Sequence, residues 1–107
     1  MNGKLRQAPG TSDEALQRAR LALHHQRPQD AERIAGELLK RDPRLAQAVT
    51  IYGYALLMQG RAEDAIAALE PAANHLSDPE IDTQLALALR QAGRDEDAVA
   101  RRPFIKN

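Results

Sequence analysis

His24 and His25 stand side by side, and they are the first side chains in this 107-residue sequence that suggest a metal ligand. Neighbours on a helix point about 100° apart, so the two rings cannot close on one ion. No acid lies four residues from either to complete a helical ligand pair, and His75 is far along the chain. The carboxylate groups come next. Glu63-Asp64 and Asp95-Glu96-Asp97 fall in what read as first turns of helices, where the helix dipole favours negative charge. General acid–base work needs a carboxyl lifted by an apolar setting, and neither group has one. Ser12 and Ser77 precede helical stretches and read as caps rather than nucleophiles. With no cysteine there is no thiolate, disulfide or cysteine metal site, and no Gly-rich phosphate loop is present. The expectation is a non-enzymatic chain with no catalytic residue, no metal site and no cofactor.

Charge narrows the partners. Fifteen basic residues balance fifteen acidic ones, which argues against an electrostatic grip on nucleic acid or on an anionic membrane surface. The basic residues are interleaved with acids, as in the run from Arg90 through Arg94 to Asp97. No apolar run approaches a membrane span, and MNGKLRQAPGTS lacks the apolar core of a secretory signal. A cytoplasmic location is therefore expected.

What remains is surface chemistry, and that depends on the elements that present it. Alternating Val/Ile/Thr runs are missing and alanine is abundant, so the class is all-α. Residues 1–11 hold Gly3, Pro9 and Gly10 around an isolated Leu5 and read as a flexible lead-in. Thr11-Ser-Asp-Glu14 fits a capping box, opening a helix to about His25 with Ala15, Leu16, Ala19, Ala22 and Leu23 inward. Arg27-Pro28 starts a second helix, which Asp42-Pro43 stops after Leu38-Leu39. A third runs from about Leu45 to Gln59, with Val49, Tyr52, Gly53, Leu56 and Leu57 on one stripe, and Gly60 ends it. The fourth begins at Arg61 or Ala62 and carries Ala65, Ile66, Leu69, Ala72 and Ala73. Pro71 inside it predicts a kink, or an early end with a short continuation to Leu76. Ser77-Asp-Pro-Glu80 opens a fifth helix, bearing Ile81, Leu85, Ala86, Ala88 and Leu89, which Gly93 closes. A short sixth opens at Asp95 and meets Arg101-Arg102-Pro103.

These helices come in pairs that recur. Gln29-Asp30-Ala31, Glu63-Asp64-Ala65 and Glu96-Asp97-Ala98 are spaced by 34 and then 33 residues. Gly60 to Ala67 and Gly93 to Ala100 agree at six of eight positions. A helix–turn–helix period of about 34 residues is that of the tetratricopeptide repeat, which the chain resembles over roughly residues 12–102. In the central pair, Tyr52 and Gly53 stand at the family's Leu-Gly positions, Leu56 at its Tyr and Gly60 at the turn. Ala65 takes the small site of the second helix and Leu69 the Phe site. Ala19, Ala31, Ala35, Leu38 and Asp42-Pro43 match in the first pair, and Leu85-Ala86, Leu89, Gly93 and Ala98 in the third. Departures are the missing Trp (Ala15, Val49 and Asp82 stand there) and Gln26 in place of the first turn glycine.

The resemblance implies a right-handed superhelical solenoid of antiparallel helix pairs over residues 12–107, with repeats at about 12–45, 46–78 and 79–107, the last truncated. Ala19, Gly53 and Ala86 would face Ala31, Ala65 and Ala98 so that paired helices approach closely. It implies further that the first helix of each pair lines a concave face. The groove candidates are then Asp13, Leu16, Arg20 and His24, followed by Thr50, Tyr54, Leu57 and Met58, and lastly Thr83, Leu87, Arg90 and Gln91. The Lys/Asn set with which some family members clamp a terminal carboxylate is absent, but Arg20 and Arg90 suit an acidic ligand around an apolar patch of Tyr54, Leu57 and Met58. The expected function is a protein–protein interaction module that binds a peptide or partner helix. The alternative is a regulatory or assembly segment of a larger enzyme, or of a secretion or pilus-type complex, whose active part lies outside this chain. A two-fold homodimer is also expected at the truncated end, where Ile66, Leu69, Leu85 and Leu89 would be poorly covered and Phe104 and Ile105 would seal the contact.

Overall fold

Capping residues set the helix boundaries. The computed structural model describes residues 11–94, and within them five α-helices and no strand. α1 (Ser12–His24) opens on the expected capping box: Thr11 Oγ1 accepts from the Glu14 N–H at 3.1 Å, and Glu14 Oε1 accepts from the Thr11 N–H at 3.3 Å. α2 (Pro28–Arg41) and α5 (Pro79–Gln91) both begin with proline at a position that needs no N–H, and Asp78 Oδ1 caps α5 by accepting from Glu80 N–H at 2.9 Å. α3 (Ala46–Met58) ends before Gly60, whose φ of +74° completes the turn, and Gly93 repeats this with φ of +83° after α5.

Gln26 occupies the corresponding turn after α1 and is forced to the same left-handed backbone, with φ of 61°. A side chain there is strained by about 1–2 kcal/mol, part of which glycine would give back in unfolded-state entropy. Gln26→Gly is therefore expected to stabilise the chain by about 0.5–1 kcal/mol. A urea midpoint that falls or stays put would refute this.

α4 (Ala62–His75) continues past Pro71 to His75, so of the two outcomes expected there the early end does not occur. The proline removes one bond, to the carbonyl of Ala67, and both residues lie on the exposed side of the helix, where water can replace it. Leu69 and Ala72, packed on either side of it, hold the helix in place.

The helices stack in order, each against the next, with α1 also touching α3 and α3 touching α5. α3 is thus buried from two directions. Ala48, Ile51 and Ala55 join α1 and α2 in one cluster, whereas Val49 and Leu56 join α4 and α5 in another. A single stripe, as the spacing suggested, would serve a helix with one neighbour; this one has four. Seven of the ten buried residues in the first cluster are alanine, against three of ten in the second, so the second holds most of the bulky side chains. Tyr52 and Leu39 pack against both and make the core continuous.

Two expectations are corrected here. Ile66, Leu69, Leu85 and Leu89 are no exposed patch: all four lie in the second cluster, at most 4% exposed, because α4 and α5 bury their apolar faces on each other and on α3. That leaves no open surface at these residues to pair with a second copy. Gly53 is approached most closely by Leu69 and Gln84, not by Ala65; a Cβ on Gly53 would stand 2.9 Å from Leu69 Cδ2 and 2.9 Å from Gln84 Oε1. Ala19, Ala31 and Ala65 are fully buried as small contact residues. The short sixth helix, Ala98, Phe104, Ile105 and the lead-in before Thr11 lie outside the described residues.

A polar clamp ties the first pair to the second. Arg61, in the turn before α4, donates from Nη1 to Glu32 Oε1 of α2 at 2.9 Å and from Nε to Asp64 Oδ2 at 2.9 Å. Gln59 Nε2 donates to the same Glu32 oxygen at 2.9 Å and to the Ala55 carbonyl at 3.0 Å. Hydrogen bonding to Asp64, ahead of that to Glu32, holds the Arg61 guanidinium above its ordinary pKa. The first-turn acids of α4 thus serve the joint between repeats: Asp64 binds Arg61, and Glu63 lies 3.9 Å from Arg94.

Candidate functional site

Packing leaves one stripe of each odd-numbered helix unburied. On α3 it runs through Gln47, Thr50, Tyr54, Leu57 and Met58; on α5 through Glu80, Thr83, Leu87, Arg90 and Gln91. Both follow the three-and-four spacing that puts residues on one helical face. Tyr54 and Leu87 are each 48% exposed and adjoin in one hollow, a patch rather than scattered single residues.

The two stripes close around an open depression of about 420 Å³ lined by Tyr54, Leu57, Met58, Leu87, Arg90 and Gln91. Its floor is apolar, and a guanidinium and an amide stand at its rim. A second depression, of about 350 Å³, lies where α1 joins the face, with Arg20, Leu23, Gln47, Thr50, Ile51, Tyr54, Glu80 and Gln84 around it. Thr50 Oγ1 donates to the Gln47 carbonyl at 2.9 Å, which fixes that wall. Tyr54 lines both hollows, so they form one track across α1, α3 and α5. Neither Arg20 nor Arg90 makes a salt bridge among the described residues, so both can meet an incoming anion.

The fold thus gathers Arg20, Thr50, Tyr54, Leu57, Met58, Leu87, Arg90 and Gln91 on one face. Asp13, His24 and Thr83 are exposed but line neither hollow. Leu16 does not belong to the groove: it is 2% exposed, inside the first cluster with Ala15 and Ala19. α1 must meet both α2 and α3, and the wider buried arc takes Leu16 inward. Leu23, Gln47, Ile51, Glu80 and Gln84 also line the track, and the repeat register alone did not single them out. Glu80, Gln84, Leu87 and Gln91 recur at helical intervals, and that series was the signal for them. His24 and His25 sit edge to face, ring centroids 5.5 Å apart at 78°.

Stacked antiparallel helix pairs with an open side-chain track define a helical-repeat protein with a docking face. The family model described as tetratricopeptide repeat matches residues 16–80, most of the first two pairs and the start of α5. The chain belongs to the tetratricopeptide repeat family. Repeats of this family generally mediate protein–protein interaction and are typically non-enzymatic. A search of curated proteins returned no match. Among the described residues no helix is long and apolar enough to cross a membrane.

Proposed function

We propose that the chain binds a segment of another protein along the track formed by α1, α3 and α5, and performs no chemistry on it. One observation carries this reading: Tyr54 and Leu87, half exposed, flank a hollow floored by Leu57 and Met58 with Arg90 at its edge. An apolar side chain seated there removes from water surface that the chain leaves open, and an acidic neighbour meets Arg90 or, further along, Arg20.

Selection of peptides from a displayed library on the intact chain, followed by fluorescence anisotropy, tests the proposal. Tyr54→Ala with Leu87→Ala is expected to weaken the selected peptides at least about tenfold, since truncating aromatic and aliphatic anchors has effects of that order. Helicity should hold, because neither residue is in the core. Arg20→Glu with Arg90→Glu should weaken acidic peptides without changing the melting temperature, and added salt should do the same within a Debye length of about 8–10 Å. Peptides that ignore both double variants would place binding elsewhere.

A further inference from the structure

A third hollow, of about 340 Å³, opens where the C-terminal turns of α2 and α4 meet the turn that leads into α3, and it shares no lining residue with the track. Val49, only 3% exposed, lies at its base, so the hollow reaches down to the second cluster, against which Leu39 and Leu76 also pack. Pro43, Ala68, Pro71 and Ala72 complete its apolar lining. None of these four has rotamer freedom to lose, so the site already holds its binding shape. Proline is the least favourable residue inside a helix, and Pro71 is exposed and outside both clusters, so the core gains nothing from it. Residues that break a local rule without such a gain are expected at functional sites. Arg44 and His75 supply the polar groups of the hollow, and no Asp or Glu lines it. The Arg44 guanidinium has no salt bridge among the described residues; nearby Asp42 accepts from the Arg44 main-chain N–H instead, at 3.2 Å.

We propose that this hollow binds a small monocarboxylic acid with an apolar body, such as a medium-chain fatty acid. A mostly apolar cleft with a few polar groups is the usual make-up of a small-molecule site, and its volume falls in the range of about 300–1,000 Å³ for such sites. At about 30 Å³ for each water-sized group, it holds roughly eleven heavy atoms. Octanoate, with eight carbons and two oxygens, meets that limit. Its chain would lie on Leu39, Val49 and Leu76, and its carboxylate would accept from the Arg44 guanidinium, with the His75 ring beside it. The single sign of charge around the hollow selects an acid over an amine of the same length. Size argues for a small molecule over a protein segment. A sphere of that volume has a surface of roughly 240 Å², well short of the ~800 Å² per partner of a stable protein interface. Past Leu39 the surface of α2 turns to Arg33, Glu37 and Lys40, charges of both signs, so the apolar surface stops there.

The test is titration of the isotope-labelled intact chain with octanoate, octan-1-ol and octylammonium, followed through its amide NMR shifts. Octanoate should move amides of residues 39–49 and 68–76 along one saturable curve. Octan-1-ol should bind about tenfold more weakly, the effect of losing a charge-assisted pair, and octylammonium should leave these amides in place. Arg44→Gln should lower octanoate affinity about tenfold and hardly change that of octan-1-ol, a split that a merely structural role for Arg44 would not produce. Ala72→Leu puts a larger side chain into the hollow and should abolish binding of both; Ala68→Leu takes its place if that variant loses helicity. No saturable shift with octanoate, equal affinity for octanoate and octan-1-ol, or shifts centred on Tyr54 and Leu87 would each overturn the site. So would selected peptides that move these amides while octanoate does not, since the occupant would then be a protein segment. The groove reading stands or falls separately, on Tyr54→Ala with Leu87→Ala.

Discussion

Leu69→Ala is expected to lower the free energy of unfolding by about 2–5 kcal/mol, the range for emptying a buried leucine site. Leu69 is fully buried in the cluster that α3, α4 and α5 share, and both of its methyl groups lie against Gly53. Domains of ordinary stability have about 5–15 kcal/mol in all, so this one change removes a large share. In a stacked-helix protein the damage should be uneven, because each pair is held mainly by its neighbours. Urea denaturation followed at 222 nm gives the total. Amide exchange should show α4 and α5 losing protection before α1 and α2, which belong to the other cluster. Uniform loss across all five helices would show that the two clusters melt as one unit. A change below about 1 kcal/mol would mean that the site collapses on the lost side chain.

Gly53→Leu should do comparable harm by the opposite route, costing about 3 kcal/mol or more. Even the first added carbon would stand 2.9 Å from both Leu69 Cδ2 and Gln84 Oε1, closer than real contacts allow. The rest of a leucine has nowhere to go, since α3 is covered there by α4 and α5. Glycine inside a helix is ordinarily unfavourable by about 1 kcal/mol against alanine, so the close approach must outweigh that preference. Gly53→Ala combined with Leu69→Ala distinguishes crowding from a backbone requirement. If crowding is the cause, the two changes should be less harmful together than their sum, with a coupling of about 0.5–3 kcal/mol. Additive losses would point to the backbone of α3 instead.

The ends of the helices could be read directly from local chemistry. Thr11 with Glu14, Asp78 with Glu80, the prolines at 28 and 79 and the glycines at 60 and 93 each act within a few residues of themselves; the helix starts fall as the spacing put them, with Thr11 and Asp78 rather than Ser12 and Ser77 as the caps. The period of 34 and 33 residues likewise carries the pairing of helices, because identical hairpins must bury identical stripes on their neighbours. Most of the exposed track followed from the same register, from Tyr54 to Arg90. Local patterning was enough for all of this.

Where three or four helices compete for one surface, patterning ran out. Leu16 and Tyr54 both sit on first helices of a pair and both are large, yet one is 2% exposed and the other 48%. The difference is which arc the neighbours cover: Leu16 turns into the cluster that α1, α2 and α3 share, whereas Tyr54 lies on the arc of α3 that its four neighbours leave open, and no window of sequence contains that. The turn at Gln26 shows tertiary packing imposing a backbone that its residue resists, and α4 shows it carrying a helix through Pro71. The contact of Gly53 with Leu69 and Gln84 joins residues from three helices. Helical periodicity states which face of a helix is apolar; only the packed structure states how far around that face the neighbours reach, and so which side chains are left for a partner.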